Sequence, residues 1–277
     1  MAFFESITLL LAGSFLGGFL GALSGLGGGI IIIPLLVLWM GVDIHYAIGA
    51  SLIAVIATST GSSAAYVKEG YSNIRVGMFL ETATCAGALL GVAIGSYLPT
   101  RILMFVFALV LIYSSLMSLF KKITEQKAFP SSRQKTIFNL DGSYPVGDSY
   151  REYHVRNIPF GYAIMVCAGI LSGGLGLGAG TLKVVALDQV MGLPFKVSTT
   201  TSNFMIGVTA ATSAGLYLGL GYIDPFLTAP VVLGVVAGSV IGVRLLPWLP
   251  ADVLRKLFAL ILLVIATQMI YKVFRTL

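Results

Sequence analysis

Apolar residues run along this chain in blocks long enough to cross a bilayer, and polar residues gather at the breaks. The blocks fall at 7–24, 29–41, 46–67, 75–98 and 101–120. After a polar interval they resume at 159–176, 180–192, 197–219, 226–247 and 253–273. About 20 apolar residues at ~1.5 Å rise each carry a helix across the hydrocarbon layer. The blocks at 29–41 and 180–192 are too short for that, and each follows a glycine run directly. The runs read "SGLGGGIIIIPLL" from Ser24 and "SGGLGLGAGTLKVVAL" from Ser172. Each is predicted to form the tip of a broken or re-entrant helical hairpin.

The two sets of five blocks are the same unit written twice. Adding 151 to a number in the first half repeatedly meets the same residue type. Gly27, Gly29, Met40, Gly41 and Ser51 become Gly178, Gly180, Met191, Gly192 and Ser202, and Thr58, Ser62, Tyr66, Gly70 and Tyr71 become Thr209, Ser213, Tyr217, Gly221 and Tyr222. Three units are therefore expected: a first transmembrane repeat at 1–120, a linker at 121–158 and a second repeat at 159–277. An odd number of segments per repeat inverts the second copy. Charge placement agrees, because cytoplasmic loops carry the excess of Lys and Arg. The linker holds Lys121, Lys122, Lys127, Arg133, Lys135, Arg151 and Arg156, and is predicted to be cytoplasmic with both termini outside. Inversion also brings Lys68, Arg75, Lys196, Arg244, Arg255 and Lys256 inside, at the cost of Arg101, Lys272 and Arg275 outside. Its turn residues, Asp141-Gly142, Pro145 and Gly147-Asp148, suit a small β-hairpin, with a disordered tether as the alternative.

Composition narrows the class to one. Hydrophobic residues make up 57% of 277 and charged residues only 10%, against about 25% charged in soluble domains. The expected fold is an all-α integral membrane protein with about 8–10 transmembrane segments. The N-terminus lacks a basic region before its apolar block, so that block is expected to remain as a membrane helix. Cys85 and Cys167 lie inside apolar blocks and read as packing residues. His45 and His154 are isolated, with no zinc-binding spacing, and "GLGGG" lacks the Lys-Ser/Thr ending of a nucleotide loop. No enzyme activity, cofactor or metal is expected.

The glycine runs carry the candidate chemistry. Irregular backbone at membrane depth is tolerated where protein or a water-filled cavity satisfies it. The short helices would aim their N-termini, with the amides of Gly27, Gly28 and Gly29 and of Gly178, Ala179, Gly180 and Thr181, at a central anion. Close helix packing is the simpler reading for Gly17, Gly21, Gly87 and Gly91. Lys183 stands in the first turn of the second short helix, where a cation at membrane depth needs a polar or anionic partner. That partner is an anionic ligand or, alternatively, Asp188 or Glu81 in a structural ion pair. Glu81 and Asp188 are also candidates for ion coupling. "STTTSNF" from Ser198 offers Thr200, Thr201, Ser202 and Asn203 as donors to an oxyanion, where the first half keeps only Ser51. The same hydroxyls can instead cap the next helix. Thr58, Ser59, Thr60, Thr209 and Thr212 either line a pathway or bond back to their own helices, and bonding back is the simpler reading.

The motifs "SGLGGGIIIIPLL", "MGVDIHYAIGASL" and "GLGAGTLKVVALDQVMGLPFKVSTTTSNFMIGV" resemble the sulfite exporter TauE/SafE family, over both halves and outside 121–158. The resemblance implies a prokaryotic inner-membrane permease for sulfur-containing anions such as sulfite, sulfonates (organosulfonates) or sulfoacetate. The family's second loop is ordinarily a glycine run followed by proline; here Lys183 and Val185 stand in that stretch. The expected function is a secondary transporter that exports such an anion by alternating access. An anion channel, or an uptake permease for another oxyanion or carboxylate, is the alternative. Expected partners are the small anion and the lipid bilayer, not nucleic acid; a homodimer is left open.

Overall fold

The computed structural model describes residues 2–24, 28–68, 70–120, 140–146, 149–245 and 251–275. The first half contains α1 (Ala2–Ser24), α2 (Gly29–Pro34), α3 (Ile44–Lys68), α4 (Ile74–Tyr97) and α5 (Thr100–Phe120). A two-stranded ribbon follows, β1 (Gly142–Val146) and β2 (Ser149–Tyr153). The second half contains α6 (Ile158–Leu175), α7 (Gly180–Val185), α8 (Phe195–Gly219), α9 (Pro225–Leu245) and α10 (Ala251–Arg275). Among the described residues, four helical stretches are long and apolar enough to cross a membrane: Ile44–Gly61, Ile74–Tyr97, Ile158–Leu175 and Pro225–Gly242. The protein is thus a mostly helical, multi-pass membrane protein.

The short apolar blocks become short helices. Both α2 and α7 continue into a π-helical stretch, Leu35–Trp39 and Ala186–Val190. A proline inside α2 removes an amide and crowds the preceding turn, which could explain the loosened geometry there. Yet Val185 holds the place of Pro34, and the π stretch forms in both halves. The shared cause is the stop signal: Gly41 and Gly192 both take a positive φ, +66° and +75°, a conformation that glycine adopts without Cβ strain. The next turn repeats the device with Gly70 and Gly221, at +76° and +78°. Asn73 then caps α4 through Val76 N at 3.0 Å, and Asp224, 151 positions on, caps α9 through Phe226 N at 2.9 Å.

Four helix pairs make the body: α1 with α9, α4 with α6, α3 with α8 and α5 with α10. Backbones touch along α4 and α6, where a Cβ on Gly87 or Gly91 would overlap the carbonyls of Val166 and Ile170. This is the close approach that small residues permit in membranes, as expected for these two glycines. At one end of the body Thr200 Oγ1, near the start of α8, donates to Tyr71 O after α3 at 3.0 Å. At the other end Gly49, near the start of α3, lies against Tyr222 O after α8. These are one contact made twice, 151 positions apart, and they run α3 and α8 in opposite directions.

β1 and β2 pair antiparallel, with Gly142 opposite Tyr153 and Val146 opposite Ser149; residues 147–148, the expected turn, lie outside the described residues, as do 121–139. The ribbon is fastened to the helices. Asn73 Nδ2 donates to Leu140 O at 3.1 Å and to Tyr153 Oη at 2.8 Å, and Arg156 N donates to Met191 O at 2.9 Å. Leu140, Tyr153 and Val155 share one apolar cluster with Val76 and Leu80 of α4 and with Met191 and Leu193.

The opposite end carries a polar latch. Asp43 Oδ1 accepts from the His45 amide at 2.9 Å and meets His45 Nδ1 at 2.8 Å, and Asp43 Oδ2 accepts from Thr100 Oγ1 at 3.1 Å, tying α3 to α5. Partial burial alone would raise the Asp43 carboxyl above its ordinary 3.8, but those hydrogen bonds outweigh it and hold it lower. A group lowered on folding stabilises above its unfolded value and loses that contribution as pH falls through the folded one. Melting in detergent between pH 6 and pH 3 is expected to show wild type above Asp43→Asn at pH 6. The gap should begin to narrow as pH falls below about 4; equal melting of the two proteins at pH 6 would refute the latch.

Candidate functional site

The two glycine tips meet inside the protein. Gly29, the first residue of α2, lies against the Gly176 carbonyl and the Ser51 hydroxyl, with no room for a Cβ. Ser51 Oγ donates to Gly176 O at 3.0 Å, and Ser202 Oγ to Gly180 O at 3.3 Å. Gly28 precedes α2 and packs on Gly17 of α1; Gly27 lies outside the described residues. In the second tip Gly176, Gly178 and Ala179 all have positive φ, +67°, +71° and +45°. For Ala179 that is a strained conformation of the kind held only by surrounding structure. Gly180 is buried and Thr181 half-buried.

The hydroxyl cluster at the start of α8 is largely engaged in joining elements. Thr200 Oγ1 reaches the carbonyls of Tyr71, Lys196 and Val197. Thr201 Oγ1 accepts from Asn73 N at 3.0 Å, and the Asn203 carbonyl accepts from Ser59 Oγ at 2.5 Å. Lys196 Nζ sits 5.3 Å from the centre of the Tyr71 ring, a cation–π contact between the two loops at this end.

Charge gathers elsewhere. Lys183 has no exposed surface and Glu81 is 4% exposed. Lys183 Nζ donates to Thr209 Oγ1 at 2.5 Å, and the same hydroxyl donates to Glu81 Oε1 at 2.5 Å. Thr209 thus bridges α7 and α4 from α8. It lies seven residues past Ser202, about 10 Å along α8 from the seam where the tips meet. Thr209 Oγ1 is also 2.8 Å from Met205 O, so its one proton is shared between its own helix and the carboxylate. Cys85, one turn after Glu81, brings Sγ to 3.5 Å from Glu81 Oε1 and to 3.3 Å from Thr212 Oγ1. Glu81 Oε2 is buried with no hydrogen-bond partner among the described residues. Asp188 is half-buried in the π stretch after α7.

Lys183 therefore faces the Glu81 side chain that was weighed as its structural partner, with a hydroxyl between them. The bridging role of Thr209 was not foreseen, since threonines in membrane helices ordinarily bond back, as Thr58 does to Ala54 O and Val55 O. A usable signal was present: Glu81 and Cys85 are four apart on α4, so a partner for both had to come from another helix. In the places 151 positions away stand Ile32, Thr58 and Val232. The hydroxyl is kept and both charges are gone.

A helical body with buried, interlocking charges and backbone-on-backbone helix contacts defines a multi-pass membrane protein whose polar chemistry lies in its interior. The chain belongs to the sulfite exporter TauE/SafE family, whose model matches residues 10–269, and is accordingly a membrane transporter. Its relatives include the "Probable membrane transporter protein YunE" of Bacillus subtilis (strain 168), 27% identical over 274 residues that cover 96% of this chain and 98% of that protein. A second B. subtilis protein, "Probable membrane transporter protein YdhB", is 25% identical over 249 residues, 90% of this chain and 94% of its own. A "Probable membrane transporter protein" of Xylella fastidiosa (strain 9a5c) is 25% identical over 271 residues, 97% and 96% of the two chains. No solved structure matches the chain.

Proposed function

We propose that the protein is a secondary transporter that exports small sulfur-containing anions such as sulfite, sulfonates or sulfoacetate across a prokaryotic inner membrane. It works by alternating access between two inverted repeats, 1–120 and 159–277. The observation that carries this reading is Lys183: a lysine with no exposed surface, held at a hydroxyl, in a chain of this family. Glu81 balances that cation through Thr209 at rest, and an entering anion would compete with the carboxylate for the same charge. Lys183 and Thr209 contact the anion, and the tip amides of Gly28, Gly29 and Gly178–Gly180 with Ser51 and Thr200–Asn203, about 10 Å along α8 from Thr209, line its approach. Complete burial of Lys183 speaks for an occluded conformation and against a standing channel.

The inverted arrangement is supported by the opposed directions of α3 and α8 and by the doubled Thr200–Tyr71 and Gly49–Tyr222 contacts. The ribbon and the loops carrying Asn73 and Met191 lie at one end, which the basic residues assign to the cytoplasm, with both termini outside.

Purified protein in proteoliposomes tests the reading. Sulfite, sulfoacetate, taurine, methanesulfonate, sulfate and acetate are loaded in turn, and efflux is followed. Sulfite and the anionic sulfonates are expected to leave at least about tenfold faster than acetate. Equal rates for all, or rates no faster than empty liposomes, would reject the sulfur-anion assignment.

A further inference from the structure

Resting on Lys183 as the anion site, we propose that each anion bound there is accompanied by one proton taken up on Glu81, so that the transporter moves anion and proton together. The two charges form a closed set in a dry interior: one ammonium and one carboxylate, joined through the Thr209 hydroxyl. An incoming anion beside Lys183 would leave two negative groups sharing one cation. Like charges in low dielectric disfavour the ionised pair, and protonation of the carboxyl relieves it. Glu81 provides the place, because Oε2 is buried and has no hydrogen-bond partner among the described residues, while Oε1 is occupied by Thr209 and approached by Cys85. The proton comes from water on the side from which the anion enters, forms an O–H bond at Oε2, and returns to water on the side where the anion leaves. No other bond changes.

The groups facing Glu81 leave few competitors for this role. From α7 comes Lys183, and from the next turn of α4 comes Cys85. From α8 come the hydroxyls of Thr209 and Thr212, which do not titrate in the working range. α6 meets α4 through Val166, Gly169, Ile170, Gly173 and Gly174, and its titratable group on this side, the Tyr162 hydroxyl, is engaged with Thr82 Oγ1 at 3.1 Å. For a monovalent anion the coupled step carries no net charge. Export then runs when the outward anion gradient exceeds the inward proton gradient, and reverses when it does not.

The test uses methanesulfonate, whose own charge is fixed across the range, bound to purified protein in detergent from pH 5 to pH 7. With one proton taken up per anion, affinity is expected to fall about tenfold per pH unit across this range, the slope of one linked proton. Protons taken up in weak buffer should then approach one per anion. Glu81→Gln, which keeps a carbonyl for Thr209, is expected to bind with no pH slope; Cys85→Ser is expected to keep the slope. A flat wild-type profile, or a slope unchanged in Glu81→Gln, overturns the proton assignment. If the Gln variant does not fold, proton counting on wild type decides. Failure of wild type to bind methanesulfonate at any pH, or wild-type affinity in Lys183→Gln, overturns the anion site itself.

Discussion

Lys183→Met is expected to abolish transport and to lower stability by about 3–5 kcal/mol, the usual cost of orphaning one member of a buried ion pair. The loss comes from Glu81, left at 4% exposure with its counter-ion gone and only a threonine hydroxyl to hold it. Adding Glu81→Gln to the same chain is expected to restore most of that stability, to within about 1–2 kcal/mol of wild type, because an uncharged pair needs no counter-ion. Flux should not return, since the cation that attracts the anion is still missing. Melting curves and proteoliposome efflux separate the two effects. A Lys183→Met protein as stable as wild type would show that the two side chains do not depend on each other.

Asn73→Ala is expected to cost about 3 kcal/mol and to release the ribbon. Its side chain does three things at once: Oδ1 caps α4 at Val76 N, and Nδ2 donates to Leu140 O and Tyr153 Oη. Loss of an N-cap typically costs about 1 kcal/mol, and each hydrogen bond about another 1 kcal/mol. Asn73 N, which donates to Thr201 Oγ1, is backbone and survives the change. Tyr153→Phe removes one of the three contacts and should cost only about 1 kcal/mol. Limited proteolysis between 140 and 157 distinguishes them. Cleavage should rise sharply in Asn73→Ala and little in Tyr153→Phe; equal protection in all three proteins would mean that the apolar cluster alone holds the ribbon.

The helices were legible because each is written in a single local code. The blocks expected at 46–67 and 75–98 appear as Ile44–Lys68 and Ile74–Tyr97, bounded by glycines or caps that sequence displays openly. The short segment expected at 29–41 forms Gly29–Trp39 for the same reason, with Gly41 as its stop. The site was harder to read, because its members come from three helices far apart in the chain. Nothing local to Lys183 points to Glu81, about a hundred positions earlier, or marks Thr209 among the threonines of α8 as the bridge. The run Thr200–Asn203 looked like a donor cluster for an oxyanion. Hydroxyls serve interhelical packing equally well, and only the fold shows Thr200 and Thr201 reaching Tyr71 and Asn73.

The halves of this molecule agree in their caps, their turns and their π stretches, and differ where Ile32 and Val232 stand opposite Lys183 and Glu81. A duplicated backbone with its charge written once has a stoichiometric meaning. Each chain carries one ligand per turnover, and a titration of the protein should saturate at a single equivalent. Its two charges come one from each half, Glu81 from the first and Lys183 from the second, and the duplicated places hold only Ile32 and Val232.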